Sequence, residues 1–174
     1  MSTYKDAGVD IDAGDRAVEL MKASIAKASR PEVVGGIGGF AGLFDATKLK
    51  SMKQPLLATS TDGVGTKTEI ARALGKYDTI GEDLVAMVVD DLVVCGAEPL
   101  FMTDYIAVGK VIPEHIADIV AGIARGCAKA NTALIGGETA EHPGLLKDDE
   151  FDVAGAATGV VDADRQLGSH RVKA

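Results

Sequence analysis

The chain has 174 residues, 47% of them apolar, which suffices to bury the core of one domain of ordinary size. Its net charge is −8, from 26 acidic against 18 basic residues, with no Trp, three Tyr and four Phe, so the basic patch and stacking platforms of a nucleic-acid binder are missing. No run approaches the ~18 apolar residues of a membrane span, and Met1 to Asp6 lacks the basic-then-apolar order of a signal peptide. A soluble, cytoplasmic protein that binds neither nucleic acid nor membrane is expected.

Taken in chain order, Val18, Met21 and Ile25 mark one stripe of a helix over 15–28. The glycine-rich run 35–42 follows and lacks the strand-turn-helix context of a dinucleotide fingerprint; it is expected to be mobile when empty. Leu56 to Ser60 reads as a strand, Thr61 to Lys67 as a tight turn, and 66–74 as a short helix ended by Gly75. A longer helix spans 79–95, stopped by Gly96 and Pro99, and 100–108 reads as a strand. Pro113 opens a helix with Ile116, Ile119, Val120, Ile123 and Cys127 on one face. A brief strand, 133–135, runs into Gly136-Gly137-Glu138-Thr139-Ala140-Glu141, and 151–161 makes the last strand of a final pair. Strands interleaved with helices predict an α+β fold, a two-layer sheet with helices on one face.

Three features carry chemistry. The turn Asp62-Gly63-Val64-Gly65-Thr66-Lys67 offers a carboxylate, glycines whose N–H groups can approach phosphate oxygens, a hydroxyl and an amine. Asp90 and Asp91 sit side by side in a helix that is apolar nearly all round, and a buried carboxylate is costly unless paired or bound to metal. Either the helix is half-buried, with one aspartate solvated and the other paired, or the pair serves a metal. Glu138 and Glu141 after the second glycine turn pose the same alternatives. An acidic protein binds a polyanionic nucleotide where Mg²⁺ stands between carboxylates and phosphates. The two cysteines, Cys95 and Cys127, lack metal-ligand spacing and are expected to be buried, reduced thiols.

In the order and spacing of Tyr4 to Asp10, Gly35 to Phe40, Thr61 to Lys67, Asp91 to Pro99 and Gly136 to Glu141, the sequence resembles the phosphoribosylformylglycinamidine cyclo-ligase family, also called aminoimidazole ribonucleotide synthetase. The resemblance implies an amino-terminal ATP-binding domain over 1–168, with 169–174 starting a linker to an absent carboxy-terminal domain. It also implies a mixed four-stranded sheet backed by helices, pairing across a two-fold into an eight-stranded barrel, hence a homodimer. The implied activity is ATP- and Mg-dependent ring closure of formylglycinamidine ribonucleotide, in which this chain alone is inactive or nearly so. On that resemblance Asp62, Asp91 and Glu138 hold Mg²⁺, and Asp91 and Lys22 are catalytic. Gly63, Gly65, Thr66, Lys67 and Gly137 bind ATP with Asp62, while Gly35, Gly36, Gly38 and Gly39 belong to a covering loop. Ser60, Asp90 and His142 stand where the family often has Gly, Asn and Met. Alternatives are another ATP-using member of the superfamily, such as a selenophosphate synthetase or a thiamine monophosphate kinase, or a non-catalytic nucleotide-binding dimerisation module.

Overall fold

The computed structural model describes Tyr4, residues 7–36, Gly39 and residues 41–173. Helix α1, Ile11–Ile25, begins where the Asp10 carboxylate accepts a hydrogen bond from the Ala13 amide (3.1 Å), four residues earlier than the apolar stripe predicts. A short hairpin, β1 (Val33–Val34) antiparallel to β2 (Leu43–Phe44), brackets the glycine run. Strand β3, Pro55–Gly63, is longer than expected and takes in Asp62, so this carboxylate sits in a strand and the turn begins after it. Helix α2, Lys67–Leu74, ends on Gly75 in the left-handed conformation (φ 59°), which a side chain would strain.

Helix α3 (Ile80–Val94), strand β4 (Glu98–Val108) and helix α4 (Pro113–Lys129) fall where the sequence places them. Strand β5, Ala133–Glu141, extends through the second glycine pair, and strand β6 spans Phe151–Asp162. The sheet order is β3-β6-β4-β5, with β6 antiparallel to both neighbours and β4 parallel to β5. Strands β5 and β6 are therefore not the adjacent pair expected, because β4 lies between them. The parallel β4–β5 pairing uses α4 as its crossover.

One face of the sheet carries the helices. Alternation along β4 turns Leu100, Met102, Ile106 and Val108 inward, against α3 and α4. Leu84, Leu92, Ile116, Ile119 and Ile123 complete this layer fully buried, each contributing roughly 1.5–3 kcal/mol of transfer free energy. Helix α1 packs on α4. Helices α3 and α4 approach to backbone contact at Gly81 and Gly122, where a Cβ on Gly122 would lie 2.7 Å from the Asp78 carbonyl oxygen.

The middle helix is half-buried, one of the two alternatives its sequence leaves open. In α3, Ile80, Leu84, Val85, Val88, Val89 and Leu92 face inward, whereas Met87, Val93 and Val94 are exposed along with Asp90 and Asp91. Its apolar excess sits on an uncovered surface. Cys95, the C-cap of α3, is likewise exposed, and only Cys127 is a buried thiol, pushed up to about 12 by burial and then by the charge of Asp104.

Candidate functional site

Alternation along β3 turns Ser60 and Asp62 toward the helix layer. Ser60 is buried, and its hydroxyl donates to Asp91 Oδ2 at 2.8 Å, fixing the α3 carboxylate beside β3. Asp62 Oδ1 accepts from the Gly63 amide at 2.8 Å. Gly63 packs against β6, where a Cβ would lie 3.2 Å from the Val153 carbonyl, and Gly65 adopts φ +59°. The chain then enters α2, where the Thr68 and Glu69 amides donate to the Gly65 and Thr66 carbonyls. Lys67, first residue of α2, pairs with Asp83 of α3 at 2.5 Å. Thr66 is the exposed N-cap, its side chain making no capping bond.

Glu138 stands apart. It lies on β5, at the edge of the sheet opposite β3, so two strands and three ~4.8 Å spacings put about 14 Å between it and Asp62. Among the described residues no group of three His, Cys, Asp or Glu side chains is placed to hold a metal ion. Asp62, Asp91 and Glu138 are therefore not one ligand set within a single chain, because the sheet separates the third from the first two. Glu141 is held in the framework instead, where its carboxylate accepts from the Asp10 amide (2.8 Å) and the Val111 amide (2.7 Å), tying the start of α1 to the approach to α4. Lys22 is exposed on α1 and pairs with Glu19.

A cavity of about 440 Å³ opens between α1 and the β4–β5 edge, lined by Gly36, Gly39, Gly137 and Glu138 together with apolar side chains of α1 and α4. Gly35 holds φ +91° at its approach, whereas Ile37, Gly38 and Phe40 lie outside the described residues. The cavity also exposes a group that sequence patterning does not single out. Asp104 sits in β4 directly across from Gly137 of β5 and from Gly155 of β6, which in turn pairs with Asp62. Because Gly137 has no side chain, the Asp104 carboxyl lies over it: a Cβ there would overlap Oδ1 and stand 2.8 Å from Cγ. Burial pushes the Asp104 carboxyl up to about 7. Its one signal in the sequence is a lone Asp in an apolar strand, at a position where alternation points inward.

Solved structures share this fold. The chain superposes on E. coli HypE with TM-score 0.65 at 18% identity, covering 90% of this chain and 46% of that one. A HypE solved in complex with ATP gives TM-score 0.60 at 16% identity, covering 97% and 46%. Such identities define the fold alone. The family model described as AIR synthase related protein, N-terminal domain, matches residues 44–161, and the chain belongs to that family. It is similar to proteins named phosphoribosylformylglycinamidine cyclo-ligase from Geobacillus kaustophilus (strain HTA426), 57% identical over 171 residues, covering 98% of this chain and 49% of the relative. The protein of that name from Desulfitobacterium hafniense (strain DSM 10664 / DCB-2) is 54% identical over 172 residues, covering 99% and 50%. The chain spans about half the length of these curated relatives.

Proposed function

We propose that the chain is the ATP-binding half of a phosphoribosylformylglycinamidine cyclo-ligase, acting in purine biosynthesis. The reaction phosphorylates the formyl oxygen of formylglycinamidine ribonucleotide, an internal nitrogen attacks that carbon, and phosphate leaves as the imidazole ring closes. Phosphorylation makes the oxygen a good leaving group, and intramolecular attack benefits from proximity. What remains for the protein is positioning and charge neutralisation.

The observation that carries this reading is the Ser60–Asp91 bond of 2.8 Å, which sets the α3 carboxylate beside the strand that bears Asp62. These two carboxylates would hold Mg²⁺, which neutralises the triphosphate when bound. Two suffice, since Mg²⁺ usually takes one or two protein carboxylates and completes its octahedron with phosphate oxygens and water. Gly65 and Thr66 present backbone N–H groups to the phosphates, Gly63 does so only once its amide leaves Asp62, and Lys67 leaves Asp83 for a phosphate oxygen. Gly36, Gly39 and Gly137 border the neighbouring cavity, where backbone can approach a ligand closely, and Gly35 precedes them in the chain. Lys22 acts as a charge stabiliser only after giving up Glu19. Glu138 joins the metal site only from a second copy, whose β5 edge would meet the β3 edge if two sheets closed into a barrel. Exposed Leu57 (68%) and Tyr105 (42%) on the open face of the sheet favour such pairing.

Titrating MgATP into the chain while following the amide signals of Gly63, Gly65, Thr66 and Lys67 tests the reading. These signals shift if it holds, and Asp62→Asn or Asp91→Asn weakens binding at least tenfold; unperturbed signals would overturn it. In phosphate-release assays a two-domain protein turns over while this chain is inactive or nearly so, and equal turnover by the two would refute that half of the proposal.

A further inference from the structure

We propose that Asp104 is the receptor for a planar, amidinium-bearing group, bound in the cavity between α1 and the β4–β5 edge. Three observations carry this. The Asp104 carboxyl lines the cavity, and among the described residues no side chain bonds it, its own backbone being the one donor it meets. The cavity wall opposite is apolar, formed by Val18, Met21 and Ile25 of α1 with Val111 and Leu134. Among the described residues that line the cavity none is a cation, Lys22 pairs with Glu19 on the surface of α1, and the nearby Cys127 is a protonated thiol.

A carboxylate in such surroundings is completed by a ligand that brings positive charge together with N–H donors. A divalent metal ion holds its water tightly and asks for oxygen ligands on several sides, which the apolar wall facing Asp104 does not offer. An ammonium ion is compact and strongly hydrated, and the apolar wall strips that hydration without replacing it. A delocalised planar cation is more weakly hydrated and matches a carboxylate with two parallel N–H···O bonds. Gly137 is the device that makes the site, since any side chain there would displace the carboxyl from its place over β5. This assignment rests on the proposed reaction for its natural ligand, the amidine end of the substrate, and places that end one strand-pair away from the Asp62 side of the sheet.

Benzamidine and its neutral isostere benzamide are the probes, titrated at pH 8 into the chain while the amide signals of Gly136, Gly137, Val18 and Leu134 are followed. Benzamidine binds at least tenfold tighter than benzamide. Both Asp104→Asn, which removes the charge and keeps the shape, and Gly137→Ala, which keeps the charge and displaces it, reduce that preference to below twofold. Folding of each variant is checked by its amide spectrum, and the two reach the same end by different routes. Absence of a benzamidine preference, or its survival in Asp104→Asn, overturns the assignment. Nucleotide is absent from this titration. A failure here with intact MgATP binding therefore removes only this inference, and the reverse pattern removes the ATP reading.

Discussion

Replacing Asp104 by Asn should make the protein more stable at pH 8, a gain that follows from the cavity it faces. The carboxyl stands on the helix-facing side of β4, and burial raises its pKa from 3.8 to about 7. At ~1.36 kcal/mol per unit, a rise of about three units is ~4 kcal/mol for a sealed group. Asp104 is only half-buried and opens on the cavity, so entering water reduces the figure to about 2 kcal/mol. With the folded-state pKa above the unfolded value, the penalty is complete above pH 7, shrinks as pH falls through the window between about 7 and 3.8, and vanishes below it. Urea denaturation of both proteins at pH 8 and pH 4 measures the effect. The Asn variant gains about 2 kcal/mol at pH 8, or ~4–8 °C in melting temperature, and nothing at pH 4. Equal or lower stability of the variant at pH 8 would show that the carboxylate has a stabilising partner, and would refute the reasoning from an uncompensated charge.

Gly81→Ala drives a Cβ into the Ile119 carbonyl oxygen and the Ile123 nitrogen of α4; both walls are backbone, so about 3 kcal/mol is lost, read as a fall in the urea midpoint, whereas Gly36→Ala, with open space around it, changes little. Ser60→Ala leaves Asp91 without its donor and weakens MgATP binding several-fold with little change in stability, since Asp91 stays exposed to water; calorimetric titration reads the difference. Lys48 and then Arg30 hold Glu32 down to about 2, and the Lys147 backbone and side chain with Arg72 do the same for Glu150. Both pKa values lie below the ordinary 4.5, so their stabilisation is present above pH 4.5 and is lost as pH falls toward 2; acid titration followed by circular dichroism shows the loss, and Glu32→Gln makes it shallower.

Much of this architecture is legible in residue patterns, and the misses have identifiable causes. The apolar stripe of α4 and the stop signals Gly75, Gly96 and Pro99 fix their elements because period and punctuation agree. Strands β3 and β5 run longer than their patterns predict because Asp62, Gly136 and Gly137 carry turn signals, yet here they pair with β6 and β4. Glycine in a strand marks close approach as readily as a turn, and Gly137 makes room for Asp104. Whether α3 is buried on all sides stays open in its sequence because composition does not reveal which apolar residues, here Met87, Val93 and Val94, face an uncovered surface. Asp62 and Asp91 stand out one by one, and the bond that fixes Asp91 to the strand bearing Asp62 comes from Ser60, whose role only the packing of α3 on β3 discloses. Sheet order lies beyond any local pattern: it is the insertion of β6 and β4 between β3 and β5 that carries Glu138 away from Asp62.

The most direct test of ATP binding at the Asp62 turn is the affinity of the chain for MgATP, measured by calorimetric titration alongside Asp62→Asn and Asp91→Asn. The expected result is one nucleotide per chain, Mg-dependent, with each substitution weakening binding at least tenfold while the fold is retained. Undiminished affinity in both variants, or binding that ignores Mg²⁺, would contradict the claim that these two carboxylates hold the nucleotide.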